Sequence, residues 1–252
     1  MKGKKVLITR SAEDNKEFKE QLEKKGAIVS ELPMINFKLI EDLTEIHKAL
    51  DDLDNVDWIV FTSTKTVQFF FDIAEQKGVK FYYYPNLKIA TVGEKTKLKL
   101  EQLGYRTNFV PIQYTAEVLA ENMDENIVGK RILIPQSNLA DREYLNVFEK
   151  RGAISIPITI YKNEAILYGY WDFEQKMNNE LDYLTFTSGS SYKAFIANMN
   201  NAKIAFKNEK IICIGPSTAK VVEEISNKTV IIASPHTTDG IIKAIEKLEQ
   251  NV

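Results

Sequence analysis

The chain has 252 residues and a formal net charge of −2, with 44% hydrophobic and 27% charged residues, the profile of an ordinary globular protein. That near-neutral balance excludes a nucleic-acid binder that works by neutralising phosphates, and no apolar run nears the roughly 20 residues that span a bilayer. The start runs from Lys4-Lys5 straight into a short apolar segment without a secretory pattern, and a single cysteine, Cys213, excludes an internal disulfide, so the expected location is the cytoplasm.

Lys5 to Thr9 is an apolar run of the buried parallel-strand kind. A helix is predicted over 13–25, with Phe18 and Leu22 four apart and Gly26 as its stop, followed by a strand over 27–32. Residues 33–40 read as extended and irregular. A helix over 43–53 places Leu43, Ile46, Leu50 and Leu53 on one face. Strand 58–62, helix 65–77, strand 88–92, helix 95–103, a short strand 108–110 and helix 115–123 come next. Strand 132–134, helix 141–151 and strand 154–158 lead to a second extended piece, 159–164. A helix near 172–180 precedes strand 183–187, helix 190–199, strand 211–214, helix 217–225, strand 229–233 and helix 238–249. Ten strands alternating with helices imply an α/β protein of two flavodoxin-like domains, each a five-stranded parallel sheet with helices on both faces.

The pattern is duplicated. Phe61-Thr62-Ser63 and Phe186-Thr187-Ser188 stand 125 residues apart, each closing an apolar run and opening a helix. Lys4 to Ala27 matches Lys130 to Ala153 without a gap at an offset of 126, down to the closing Gly26 and Gly152. Val92-Gly93 with Thr96 answers Ile214-Gly215 with Thr218 at an offset of 122, and the segment from Thr115 answers that from Thr238 at 123. Four matched segments in one order indicate duplication, and a period this long means two domains rather than a solenoid. Two cuts fit. One divides the chain near Ile127. The other uses the extended pieces 33–40 and 159–164 as crossing linkers, with an inserted domain from about 41 to 158. Periodicity alone does not choose.

Most familiar catalytic constellations are missing. His47 and His236 stand far apart with no Cys or His neighbours, so no metal site is readable, and no P-loop, GxGxxG or Ser-His-Asp pattern follows a strand. What remains is a set of hydroxyl residues at strand-to-helix junctions: Thr62, Ser63, Thr96, Thr115, Thr187, Ser188, Ser190, Ser217, Thr218, Thr237 and Thr238. Capping is the ordinary job of Ser or Thr there, but capping needs no match between copies, and these match. Ligands of such sheets sit beyond the carboxyl ends of the strands, where helix starts offer free N–H groups and a positive dipole end. Arg10, Lys65, Arg142 and Lys210 are the cationic candidates for the same edge, and Tyr161 could present a phenol at the linker. Two lobes lined by amides and hydroxyls, without strong acids, bases or metals, suit a flexible polyanion whose chemistry is intrinsically easy.

Several of these segments taken together resemble the uroporphyrinogen-III synthase family: VLITR at 6–10, the two FTS junctions, VGxxT at 92–96, ILIP through DREYL to RGA at 132–153, IGPxTA at 214–219 and SPHTTDGI at 234–241. The resemblance spans essentially the whole chain. It implies the discontinuous arrangement, with one domain from 1–34 and 166–252, an inserted domain from 41–158, and linkers 35–40 and 159–165 forming a two-stranded connection. It implies a cyclising hydro-lyase of haem biosynthesis, without a cofactor. In that reaction linear hydroxymethylbilane loses water, closes through a spiro intermediate and yields uroporphyrinogen III with its last ring inverted. By position it assigns Tyr161 to assisting hydroxyl departure, and Ser63, Lys65, Thr96, Ser188, Lys210, Ser217 and Thr218 to the substrate. Arg10, Thr115, Ser190 and Thr238 join them as substrate-binding candidates at the same edge. Lys65 and Gln136 stand where the family often has Arg. A monomer is expected, with no nucleic-acid or membrane partner and at most a transient contact with the upstream bilane-producing enzyme. The rival from another class is a non-catalytic two-lobed binder or sensor of a small polyanion.

Overall fold

The computed structural model describes residues 1–124, 126–177 and 180–250. In chain order the elements are β1 (Lys5–Ile8), α1 (Ala12–Lys24), β2 (Ile28–Glu31), β3 (Ile35–Leu39), α2 (Thr44–Asp51), β4 (Trp58–Phe61), α3 (Thr64–Gln76), β5 (Lys88–Thr91), α4 (Glu94–Gln102) and α5 (Ala116–Asn122). They continue as β6 (Arg131–Ser137), α6 (Leu145–Lys150), β7 (Ile154–Ala165), α7 (Tyr170–Met177), β8 (Tyr183–Phe186), α8 (Gly189–Ala202), β9 (Lys210–Cys213), α9 (Pro216–Ser226), β10 (Val230–Ile232) and α10 (Thr238–Gln250). Positions 178 and 179 of the helix expected near 172–180 lie outside the described residues. Among the described residues no helix is long and apolar enough to cross a membrane.

The chain folds into two compact units, Met1–Phe37 with Glu164–Val252, and Lys38–Asn163. In the first, the strand order is β10-β9-β8-β1-β2, with parallel pairing throughout. Order reverses between β8 and β1, the switch point of a flavodoxin-like sheet. Alternate residues face opposite layers. Val6, Ile8, Tyr183 and Ile212 pack with Phe18, Leu22, Ile241 and Ile245 of α1 and α10. Leu7, Leu184, Phe186, Ile211 and Cys213 pack with residues of α7, α8 and α9, among them Phe173, Phe195 and Val222. A strand covered on both faces has no polar side, which is why β4 reads as an unbroken apolar run, β8 departs from one only at Thr185, whose hydroxyl donates to the Leu7 carbonyl, and both are buried at every position.

The second unit orders its sheet β3-β7-β6-β4-β5, again with a switch, between β4 and β6. Three expectations change here. The strand expected over 108–110 is only a single parallel bridge from Phe109 to Ala90, too short to form a ladder. It occupies the place that β10 fills in the first unit. The fifth strand is instead β3, in the stretch read as irregular, beside a β7 that runs on for 12 residues through the stretch expected to be a linker. No crossover helix joins β3 to its neighbour, so nothing forces it parallel, and this second sheet is mixed rather than wholly parallel.

The duplication extends to the amino ends of the strands. Asp57 Oδ2 accepts from the Arg131 amide at 2.9 Å while Oδ1 accepts from Lys130 Nζ at 2.7 Å. Asp182 does the same in the first unit, with the Lys5 amide at 2.8 Å and Lys4 Nζ at 3.4 Å. Each aspartate precedes an interior strand, β4 or β8, and ties down the start of its neighbour. Burial disfavours ionisation of Asp57, but the Lys130 hydrogen bond, the Arg131 amide and the charges of Lys130 and Lys88 outweigh it and hold the carboxyl below its ordinary value.

Candidate functional site: the carboxyl edges of the two sheets

Six of the helices that start at the carboxyl edges of the two sheets form three matched pairs at the hydroxyl and glycine junctions. α3 and α8 follow the FTS junctions and are capped by serine: Ser63 Oγ accepts from the Thr66 amide at 3.1 Å, and Ser188 Oγ from the Ser191 amide at 3.1 Å. α5 and α10 are capped by threonine, Thr115 Oγ1 accepting from Val118 at 3.2 Å and Thr237 Oγ1 from Gly240 at 3.2 Å. The third pair differs. α4 and α9 begin at Gly93 and Gly215, with extended backbone and no side-chain cap. At α9, Pro216 has no N–H, and the amides of Ser217 and Thr218 meet no acceptor among the described residues. The hydroxyls of Thr96 and Thr218 occupy the same third helical position, on residues only 6% and 3% exposed, and neither has a protein partner among the described residues. Helix side chains tilt towards the amino end, so both point to the open turn.

A ring lies against each of these glycines. A Cβ on Gly93 would meet Tyr114 Cγ at 3.4 Å, and one on Gly215 would meet His236 Cγ at 3.6 Å. Both rings remain on the surface, Tyr114 61% exposed. His236 Nδ1 lies 2.8 Å from the Ala233 carbonyl, to which it donates, so Nε2 is turned outward. Gly93 to Gly215, Tyr114 to His236 and Thr115 to Thr237 share one offset of 122. The true counterpart of Thr115 is therefore Thr237. Thr238, expected to be the matching site residue, is the first residue inside α10, and Thr237 makes the cap.

Tyr161 sits on β7, 6% exposed, with its ring stacked on Phe69 at 5.0 Å between centroids and its phenol oxygen 3.4 Å from Ser63 Oγ. It was expected to project from a linker; instead it packs against α3, because the strand continues through it. Gln136, fully buried at the end of β6, accepts through its amide oxygen from Arg142 Nε at 3.2 Å and Nη2 at 3.3 Å.

A family model described as uroporphyrinogen-III synthase HemD matches residues 16–243. The chain belongs to the uroporphyrinogen-III synthase family. Its relatives include the porphyrin biosynthesis protein HemD of Ruminiclostridium josui, 28% identical over 95% of this chain and 47% of that protein. The uroporphyrinogen-III synthase of Synechococcus elongatus is 26% identical over 97% of this chain and 95% of that protein. The chain thus spans about half the length of the first and nearly all of the second. The crystal structure of uroporphyrinogen-III synthetase from Helicobacter pylori, 18% identical, covers 98% of this chain and 99% of that one with a TM-score of 0.67, a likeness of fold.

In this uroporphyrinogen-III synthase family member the remaining expected residues sort by edge. Arg10 follows β1, its carbonyl accepting from Asn15 Nδ2 at 3.2 Å, and it reaches the carboxyl edge half-buried. Lys65 lies half-buried in the first turn of α3. Ser190 is exposed in the first turn of α8 with its hydroxyl 3.0 Å from that of Ser188, and Ser217 is exposed in the first turn of α9. Lys210 does not belong with them. It begins β9 rather than ending it, lies at the amino edge, and places its ammonium 6.0 Å from the Tyr183 ring centroid. A depression of about 640 Å³ at the amino edge of the second unit is lined by Asp57, Lys88, Asp124 and Lys130 among others. These four pair as Lys88 with Asp124 at 3.2 Å and Lys130 with Asp57 at 2.7 Å, so their charges are spoken for.

Proposed function

We propose that this chain cyclises hydroxymethylbilane to uroporphyrinogen III, and that open helix starts at the carboxyl edges of the sheets hold carboxylates of the substrate. The observation that carries the reading is the glycine-started pair α4 and α9, each with a largely buried threonine at its third position whose hydroxyl has no protein partner among the described residues. Capping would explain Ser63 or Ser188; it does not explain Thr96 or Thr218. Each contact between an anion and a helix start is worth about 0.3–1 kcal/mol, so a substrate with eight carboxylates gains by engaging several at once.

Loss of the terminal hydroxyl is driven by pyrrole nitrogen lone pairs, and the departing oxygen needs one proton to leave as water. Tyr161 is the donor we assign, with Ser63 beside its phenol oxygen. The cation left behind is attacked by the substituted carbon of the far ring, and the spiro product fragments and recloses with that ring inverted. Spontaneous closure gives the non-inverted isomer, so the protein's contribution is the fold it imposes on the bilane and the exclusion of the direct route. Arg10, Lys65, Ser63, Ser188, Ser190, Ser217, Thr115, Thr237 and Thr238 complete the proposed binding edges, with no cofactor required. We further read the chain as a cytoplasmic monomer. A substrate that closes wrongly when left in water also favours direct transfer from the enzyme that makes it. The test is incubation with freshly generated hydroxymethylbilane, oxidation of the products and separation of the isomers. The inverted isomer in excess is expected; the spontaneous isomer alone, at the spontaneous rate, refutes the reading.

A further inference from the structure

We propose that Tyr114 and His236 are substrate-contacting rings that each complete a subsite for one acid-bearing pyrrole of the bilane. The inference rests on the cyclisation reading above and adds two residues to it.

Tyr114 is 61% exposed and His236 is exposed, yet neither is loose: each ring rests on a glycine and is followed directly by the threonine that caps the next helix. Each ring lies close over the glycine backbone, where a Cβ would be in van der Waals contact with Tyr114 Cγ at 3.4 Å or His236 Cγ at 3.6 Å. The ring therefore borders, in each unit, a helix start that no side chain caps. Beside it lie the open first turn and the unpartnered threonine hydroxyl, Thr96 in one unit and Thr218 in the other. The same four parts recur at one offset of 122: Gly93 and Gly215, Thr96 and Thr218, Tyr114 and His236, Thr115 and Thr237.

Each group of parts combines an anion donor set with a flat apolar wall. An acetate- or propionate-bearing pyrrole presents a carboxylate and a π-face a few bonds apart, and the two match. The carboxylate takes the helix-start amides and the threonine hydroxyl, while the pyrrole packs against the ring. The two walls differ in their outward groups. Tyr114 lies near Lys97 of α4, itself paired with Glu94 at 3.0 Å, and presents a phenol. His236 commits Nδ1 to Ala233 and presents Nε2. The subsites are equivalent in plan and distinct in chemistry, as the unlike ends of a linear substrate require.

The test measures KM, kcat and isomer ratio for Tyr114→Ala, His236→Ala and the double variant on the full chain, with ring-keeping controls Tyr114→Phe and His236→Phe. Loss of one aromatic contact is expected to raise KM about threefold to tenfold, with kcat within about twofold, and the double variant should multiply the two effects. The ring-keeping variants should stay within about twofold of the parent. Alanine variants that fold, by thermal melting, and keep the parental KM overturn the proposal, as does an equal loss in the phenylalanine variants. Should an alanine variant fail to fold, Tyr114→Gln and His236→Gln take its place: parental KM in a folded glutamine variant overturns the assignment of that ring. If the parent chain itself forms only the spontaneous isomer, it is the cyclisation reading that fails, and the two failures are distinct.

Discussion

Replacing Tyr161 by phenylalanine separates what the phenol hydroxyl does from what the ring does. The ring stacks on Phe69 at 5.0 Å with planes 28° apart, and phenylalanine keeps that contact. The hydroxyl reaches Ser63 Oγ at 3.4 Å, the long limit for such a bond, and Ser63 Oγ retains the Thr66 amide at 3.1 Å and the Thr66 hydroxyl at 2.8 Å without it. The loss of stability should therefore sit at the low end of a net hydrogen bond, about 0.5 kcal/mol. The rate is another matter. A positioned general acid contributes about 10²–10⁴-fold, or about 3–5 kcal/mol of barrier. Denaturant unfolding and single-turnover dehydration of the bilane measure the two halves. We expect an unchanged unfolding midpoint, a chemical step slowed by about a hundredfold or more, and little change in substrate affinity. An unchanged chemical step removes the phenol from proton donation, and a stability loss above about 2 kcal/mol refutes the packing argument. Tyr161→Ala is the contrast: removing the buried ring should cost about 3–5 kcal/mol.

Three further substitutions probe other parts of the molecule. Thr218→Ala should weaken substrate binding by about tenfold, the scale of one hydrogen bond to a charged group; a fall in kcat beyond about a hundredfold would mean that the hydroxyl takes part in the chemistry instead. Gly240→Ala, which in an open helix would gain about 1 kcal/mol, should here lower the melting temperature. Its methyl would overlap the Pro235 carbonyl oxygen and lie 2.9 Å from that carbon, displacing the Thr237 cap at a cost of about 2 kcal/mol or more; unchanged or raised stability would contradict this. Asp57 is held below its ordinary pKa in the folded chain, so its contribution is present above about pH 4 and disappears as the pH falls through the depressed value. Asp57→Asn should accordingly flatten the acid limb of the stability curve, and an acid limb as steep as the parent's would show that other carboxylates govern it.

What could be read from the chain depended on how local the cause was. β4 and β8 are buried on both faces, so their apolar runs announced themselves, and the helices ended near their glycines and began near their hydroxyl residues for reasons carried by adjacent positions. β3 and the far half of β7 were hidden because their pairing is with each other, across more than a hundred residues, and Pro33 disguised the approach. Phe109 had the composition of a strand but found one bridge where β10 found three paired residues. Lys210 came from its charge and the resemblance rather than from the strand itself: it opens the run KIIC, and the carboxyl end of that run, at Cys213, is the one that faces a ligand. The hydroxyl residues were legible as a set. Their division into those that cap and those left open needed the helix starts, although Gly93 and Gly215 already stood in the sequence as the sign. His236 showed itself only by its place in the loop before the last helix and in SPHTTDGI, and Tyr114 gave no signal of its own; the constant spacing from each glycine is what pairs them.

The aspartate clamps give the two ends of each sheet different vulnerabilities. Where Asp57 and Asp182 stand, carboxylate, lysine and amide already satisfy one another. Damage there shortens the lifetime of the folded chain and leaves the identity of its product alone. At the far end, where threonines and glycines leave donors unanswered, an altered residue can spare the fold entirely and still let the wrong macrocycle form. On the proposed cyclisation, changes at the aspartate clamps should be rescued by lower temperature, whereas loss of the Thr96 or Thr218 hydroxyl should be indifferent to it.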